Sequence, residues 1–131
     1  MKSRPLRPRV LLADDFPDMV KAISRLLALD CEIVGSVADG SALLETAHRL
    51  QPDVIVLDVN LPHLNGLDAC RQITQVNPEI RVIVFSAMTD PAIPERSLAA
   101  GASAFVSKLA DAGGLLSTIK RLCDDRDLAR S

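Results

Sequence analysis

Asp53-Val54-Ile55-Val56-Leu57-Asp58-Val59-Asn60-Leu61-Pro62-His63-Leu64-Asn65-Gly66 is the stretch that decides how this chain folds. Its apolar run, Val54 to Leu57, shows no polar alternation. That is the pattern of a strand buried on both faces, as in a parallel sheet covered by helices. The run stops at Asp58 and gives way to a loop carrying Pro62 and Gly66. In open α/β sheets, ligands bind outside the carboxyl ends of the strands. A carboxylate at this point therefore faces a crevice in which it can act.

Working outward, apolar runs alternate with amphipathic segments on both sides. Val10-Leu11-Leu12-Ala13 reads as a first strand stopped by Asp14-Asp15, and Pro17 to Leu29 as a helix with Val20, Ile23, Leu26 and Leu27 inward. Ile33 to Val37 is a second strand. Asp39-Gly40-Ser41 supplies a turn and cap for a helix with Ala42, Leu43, Ala47 and Leu50 inward. After Gly66, the residues Leu67, Cys70, Ile73 and Val76 stripe a third helix, ended by Asn77-Pro78. Arg81 to Phe85 is a fourth strand, stopping at Ser86. Asp90-Pro91 opens a helix as cap and first residue, and Pro94 makes that helix short or late to start. Gly101 ends it, Ala104 to Val106 is a fifth strand stopping at Ser107-Lys108, and Leu115, Leu116, Ile119 and Leu122 stripe a last helix. Five successive β-then-α units predict a doubly wound five-stranded parallel sheet with right-handed crossovers. Residues 1–8 read as a disordered basic tail, with Arg4, Arg7 and Arg9 solvated, and 124–131 as a fraying polar tail or the start of a linker.

With 131 residues, 48% of them apolar and 24% charged, the chain suits one globular domain. Phe16, Phe85 and Phe105 are the only aromatic residues, so the core is aliphatic and each ring invites a reason. A net charge of −2 gives no support to nucleic-acid binding by this chain. Cys31, Cys70 and Cys123 are odd in number and lack CxxC spacing, which excludes a disulfide framework or zinc site and suits reduced thiols in a cytoplasm. The run Val10 to Ala13 is too short for a signal peptide or membrane span, and no membrane association is expected.

The strand ends carry the chemistry. Asp14-Asp15, Asp58, Ser86 and Lys108 close four strands of one parallel sheet, so all lie on the same edge. Three carboxylates that close need a compensating cation, and oxygen ligands of this kind suit Mg2+.

With those residues in those positions, the chain resembles the receiver domain of bacterial two-component response regulators, from about Arg9 to Cys123. The resemblance rests on Asp14-Asp15, the Asp58-Val59-Asn60-Leu61-Pro62…Gly66 loop, Ser86-Ala87, and Gly101-Ala102-Ser103-Ala104-Phe105-Val106-Ser107-Lys108. Gly66-Leu67-Asp68-Ala69 and Gly101-Ala102-Ser103 look most like the subfamily carrying a LuxR-type helix-turn-helix output domain. The resemblance implies a flavodoxin-like fold of strand order 2-1-3-4-5 with five helices over residues 9–123. It implies that Asp58 takes a phosphoryl group from a histidine kinase or phosphotransfer protein. Asp15, Asp58 and the Asn60 carbonyl would bind Mg2+ directly, with Asp14 acting through water. Lys108 and Ser86 would contact phosphoryl oxygens, and Phe105 holds the position of the aromatic switch, remodelling the helix-four, strand-five surface when Ser86 moves. On this reading the chain is not a turnover enzyme; it accepts a phosphoryl group and loses it slowly, and its expected output is transcription regulation.

Three departures stand out. Leu109 follows Lys108 where receivers usually have a proline, so a trans bond is expected. Pro94 lies in the fourth helix, and Met88, two residues past Ser86, places an apolar side chain by the crevice where it would hinder an attacking water. His48 and His63 read as solvent-facing. The first and last helices, or the fourth, are candidate homodimer faces between which the sequence does not choose. Two alternatives compete: a phosphate-independent interaction module, disfavoured by the intact Asp14-Asp15, Asp58 and Lys108, and an aspartyl-phosphate hydrolase. Such hydrolases typically carry a second Asp two residues after the nucleophile, where this chain has Asn60. No Gly-rich loop follows the first strand, which disfavours a nucleotide-binding fold. The sequence reads as the receiver portion of a longer regulator in preference to a stand-alone receiver.

Overall fold

A computed structural model of the chain describes residues 7–61, 65–109 and 113–130. Pro62 and His63, and the first six residues with Arg4, lie outside that set. The elements run β1 (Arg9–Ala13), α1 (Pro17–Leu27), β2 (Glu32–Val37), α2 (Gly40–Leu50), β3 (Val54–Leu57), α3 (Gly66–Val76), β4 (Arg81–Ser86), α4 (Ala92–Ala99), β5 (Ala104–Ser107) and α5 (Gly113–Arg130). All strand pairs are parallel, and the sheet order is β2-β1-β3-β4-β5. This is the flavodoxin-like architecture expected from the sequence.

Side chains alternate across the pleat, and each parity feeds its own core. Val10, Leu12, Val54, Val56, Ile83 and Phe85 pack with Ile23 and Leu27 of α1 and with Leu115 and Ile119 of α5. Leu11, Ala13, Ile55, Leu57, Val82 and Val84 pack with Leu43 and Ala47 of α2 and with Leu67, Cys70 and Ile73 of α3. Burial on both faces is why β3 reads as an unbroken apolar run: every residue of it is buried.

The helix starts are set locally. Asp39 caps α2, its carboxylate accepting the Ala42 N–H at 2.7 Å, a bond of a kind worth about 1 kcal/mol. Asn65 does the same for α3 through the Leu67 N–H. α4 starts at Ala92, later than the expected Pro91, with the Asp90 carboxylate accepting the Ala92 N–H. It spans only 8 residues, with Pro94 in its first turn, where the proline's missing N–H is no loss. Gly101 takes φ +101 at its end, where a Cβ would fall 2.3 Å from Thr74 Oγ1.

Several boundaries differ from expectation. Leu29 is exposed beyond the end of α1, and Val76, placed inward on the third stripe, is 70% exposed at the last position of α3. α5 continues to Arg130, through the segment read as a tail. Arg7, though exposed, and the half-buried Arg9 are tied to the fold. The Arg7 guanidinium donates to the carbonyls of Ala28 and Cys31 past the end of α1, and that of Arg9 to those of Leu50 and Gln51 at the end of α2. Each satisfies carbonyls that a helix terminus leaves without partners, a role that composition does not reveal.

Candidate functional site

Register builds the site. Val10 pairs with Val54 and Ala13 with Leu57, while Leu57 pairs with Val84. Continuing by one residue sets Asp14 beside Asp58 and Asp58 beside Phe85. The Asp58 N–H donates to the Ala13 carbonyl at 2.9 Å, which keeps the two strand ends in step. Asp14 and Asp58 thus share one pleat parity and one rim of the sheet.

Lys108 comes to them from β5. Its backbone N–H donates to the Ser86 carbonyl at 2.8 Å, and its Nζ donates to Asp14 Oδ2 at 2.7 Å and to Asp58 Oδ2 at 3.0 Å. The side chains of Lys108, Asp14 and Asp58 are 10%, 4% and 13% exposed. Asp15 is exposed, yet one carboxylate oxygen each from Asp14, Asp15 and Asp58 lies within 4.8 Å of the others. Burial alone would push the Lys108 ammonium down. The hydrogen bonds and charges of Asp58 and Asp14 outweigh it, and the net direction is up.

The remaining oxygens hold the loops in shape. Asp14 Oδ1 accepts the Phe16 N–H at 3.0 Å, so this residue both orders the entry to α1 and binds Lys108. Asp58 Oδ1 accepts the Asn60 N–H at 3.1 Å, the form of an Asx turn. Gly66 backs that loop so closely that a Cβ would stand 2.6 Å from Val59 Cα and 2.8 Å from the Asp58 carbonyl oxygen. Ser86 is fully buried at the end of β4, and its Oγ accepts the Met88 N–H at 3.1 Å. Phe105, of the opposite parity to Lys108, is partly buried against the α2/α3 core. The Lys108–Leu109 bond is trans, as expected.

Asp14, Asp15, Asp58 and Lys108 thus form one cluster at this rim. Ser86 ends β4 with its side chain on the opposite face, and Phe105, of the same parity as Ser86, pairs with Val84 within the sheet. Asn60 contributes its N–H to Asp58. One contact was missed: the Lys108 Nζ lies 5.7 Å from the Phe85 ring centroid. The rarity of aromatic residues was the available signal.

The family description "Response regulator receiver domain" matches residues 10–120. The chain belongs to the response regulator receiver domain family of two-component systems. This receiver is 32% identical over 114 residues to the transcriptional regulatory protein DegU of Brevibacillus brevis, covering 86% of the chain and 48% of that relative. It is 33% identical over 114 residues to the response regulator GacA of Pseudomonas viridiflava, again over 86% of the chain and 53% of the relative. The chain thus spans about half the length of these relatives. Among solved structures, a LuxR-family two-component response regulator from Aurantimonas sp. superimposes with a TM-score of 0.85 at 28% identity, covering 90% of this chain and 86% of that one. Receiver domains are signalling modules that bind Mg2+ at an acidic cluster, and the donor set here fits such an ion. Three hard carboxylates cluster around one ammonium that bonds two of them, which leaves a net negative charge for a cation that prefers oxygen ligands. Among the described residues, no helix is long and apolar enough to cross a membrane.

Proposed function

We propose that this receiver accepts a phosphoryl group on Asp58 from the phosphohistidine of a kinase or phosphotransfer protein. The observation that carries the reading is the bridging of Asp58 and Asp14 by Lys108, with Asp15 in reach of both. A lone strand-end carboxylate needs no such arrangement. Phosphoryl transfer asks a protein mainly for alignment and charge neutralisation, and this rim offers both.

The Asp58 carboxylate attacks phosphorus. An O–P bond forms as the N–P bond breaks, and the histidine nitrogen leaves with the electron pair. Asp15, Asp58 and the Asn60 carbonyl would hold Mg2+ directly and Asp14 through water, and such an ion would supply positive charge to offset that of the carboxylates and the incoming phosphoryl group. Lys108 turns from its two carboxylates to a phosphoryl oxygen. Ser86 Oγ accepts the Met88 N–H, an arrangement that leaves its own proton for a second phosphoryl oxygen.

The modification brings about −1.5 to −2 charge and three strong acceptors. A charge-assisted bond from Ser86 contributes roughly 1.5–3 kcal/mol, enough to bias a two-state loop. As Ser86 moves in, Phe105 turns into the space it leaves, and the α4/β5 surface is remodelled for a partner or output domain. Because the chain spans about half of its DegU and GacA relatives, we assign it as the cytoplasmic receiver portion, residues 9–123, of a longer transcription regulator. The homodimer faces named above remain alternatives for that assembly.

Incubation with Mg2+ and acetyl phosphate, followed by intact-mass measurement, tests the reading. Wild type is expected to gain one phosphoryl mass and Asp58→Asn none. A phosphoryl gain by Asp58→Asn equal to that of wild type would overturn it. Unchanged Phe105 packing in the beryllofluoride-bound protein would refute the switching step.

A further inference from the structure

Lys108 reaches its carboxylates by crossing a strand. It leaves the end of β5, while Asp58 closes β3 and Asp14 closes β1; β4 lies between β5 and β3. Neighbouring strands are about 4.8 Å apart, so the lysine stem, its hydrogen bond and the Asp58 side chain together bridge roughly two strand spacings along the rim. The residue of β4 it must pass over is fixed by register. Phe85 pairs with Val106, two residues before Lys108 and of the same parity, and the β3–β4 register continued by one sets Phe85 beside Asp58.

At that point stands a ring in an otherwise aliphatic core. Phe85 is 5% exposed, and Lys108 Nζ sits 5.7 Å from its centroid. The face of an aromatic ring attracts a cation within about 6 Å, more so when both are withdrawn from water. An aliphatic side chain of similar volume would support the stem but leave the ammonium to the carboxylates alone.

We propose that Phe85 is a positioning residue: its ring supports the Lys108 stem across β4 and holds the ammonium over Asp58 and Asp14, ready for the phosphoryl oxygens. The proposal rests on the assignment of Asp58 as phosphoacceptor, and it accounts for one of the three aromatic rings in the chain. It concerns the π-face of Phe85, a quantity separable from its volume.

The test compares wild type, Phe85→Leu, and the protein with 3,4,5-trifluorophenylalanine at position 85, whose ring keeps its outline but loses most of its negative face. Phosphorylation by acetyl phosphate at saturating Mg2+ is expected to slow about threefold to tenfold in both variants, while the urea midpoint of the trifluoro protein stays at the wild-type value. In proton spectra of the metal-free protein, the Lys108 ε-methylene signals are expected to be ring-shifted and inequivalent in wild type. They should be averaged in the trifluoro protein. A trifluoro protein that phosphorylates at the wild-type rate, or wild-type ε-methylene signals at free-lysine positions, would overturn the proposal. If Phe85→Leu fails to fold, the trifluoro ring decides alone. If wild type takes no phosphoryl group, the Asp58 assignment fails instead, and the ε-methylene signals still decide whether Phe85 holds Lys108.

Discussion

Asp15→Asn is expected to stabilise the metal-free protein and to weaken its response to Mg2+. Oxygens of Asp14, Asp15 and Asp58 lie within 4.8 Å of one another, and the one ammonium at the cluster, Lys108, bonds Asp14 and Asp58. Asp15 therefore suffers two repulsions against one attraction, a net of about one pair. For unit charges at that separation the pair energy is about 1 kcal/mol at the dielectric of water and about 3.5 kcal/mol at an effective value near 20. Because Asp15 is exposed, the lower end applies, and a gain of about 1–2 kcal/mol is predicted in EDTA. A ligand that binds only the native state stabilises it by about 2.7 kcal/mol at a hundred times its dissociation constant. Wild type should gain that increment at saturating Mg2+, and the variant, one carboxylate poorer, less. Urea melts of both proteins in EDTA and in Mg2+ give the four values required. Loss of stability on substitution in EDTA, or equal Mg2+ increments in the two proteins, would refute the claim that these carboxylates form one strained, cation-seeking cluster.

Three further outcomes are expected. Gly66→Ala drives a Cβ into Val59 Cα and the Asp58 carbonyl; it should cost about 1–3 kcal/mol in urea melts and slow phosphorylation by displacing Asp58, and wild-type values for both would contradict the packing described. Met88→Glu replaces the apolar neighbour of Ser86 with a group able to orient water, and the phosphorylated half-life should shorten; a longer half-life would count against the shielding role of Met88. Lys108 holds its proton more tightly folded than unfolded, so its contribution is complete below the unfolded value near 10.5 and is lost as pH rises through the raised folded value. Wild type and Lys108→Met should therefore converge in stability only at strongly alkaline pH, and convergence between pH 6 and 9 would contradict the geometry.

The number of strands and helices was legible because β3 and its neighbours are buried on both faces, so apolar runs ending in polar residues mark the strands; the strand order was legible only through the family resemblance. The clustering of Asp14, Asp15, Asp58 and Lys108 followed from topology alone, since parallel strands end on one rim. What escaped the sequence depended on lateral register or on termini. Phe85 lies beside Asp58 only once β3 and β4 are aligned residue by residue, and periodicity within a strand carries no such information. Arg7 and Arg9 looked like a solvated tail because the carbonyls they serve lie 21 and 41 residues away. Val76 fits the helical stripe, yet at the last position of α3 no neighbouring element covers it. Leu29, expected as the end of the first helix, lies exposed beyond α1, which stops at Leu27.

The identity of the modified residue is the central claim, and borohydride trapping addresses it directly. Reduction of an aspartyl phosphate with borohydride converts that residue to homoserine, which peptide mass spectrometry locates. After treatment with Mg2+ and acetyl phosphate, homoserine is predicted at position 58 and at no other aspartate. Its absence from position 58, or its appearance at position 14 or 15 instead, would contradict the account.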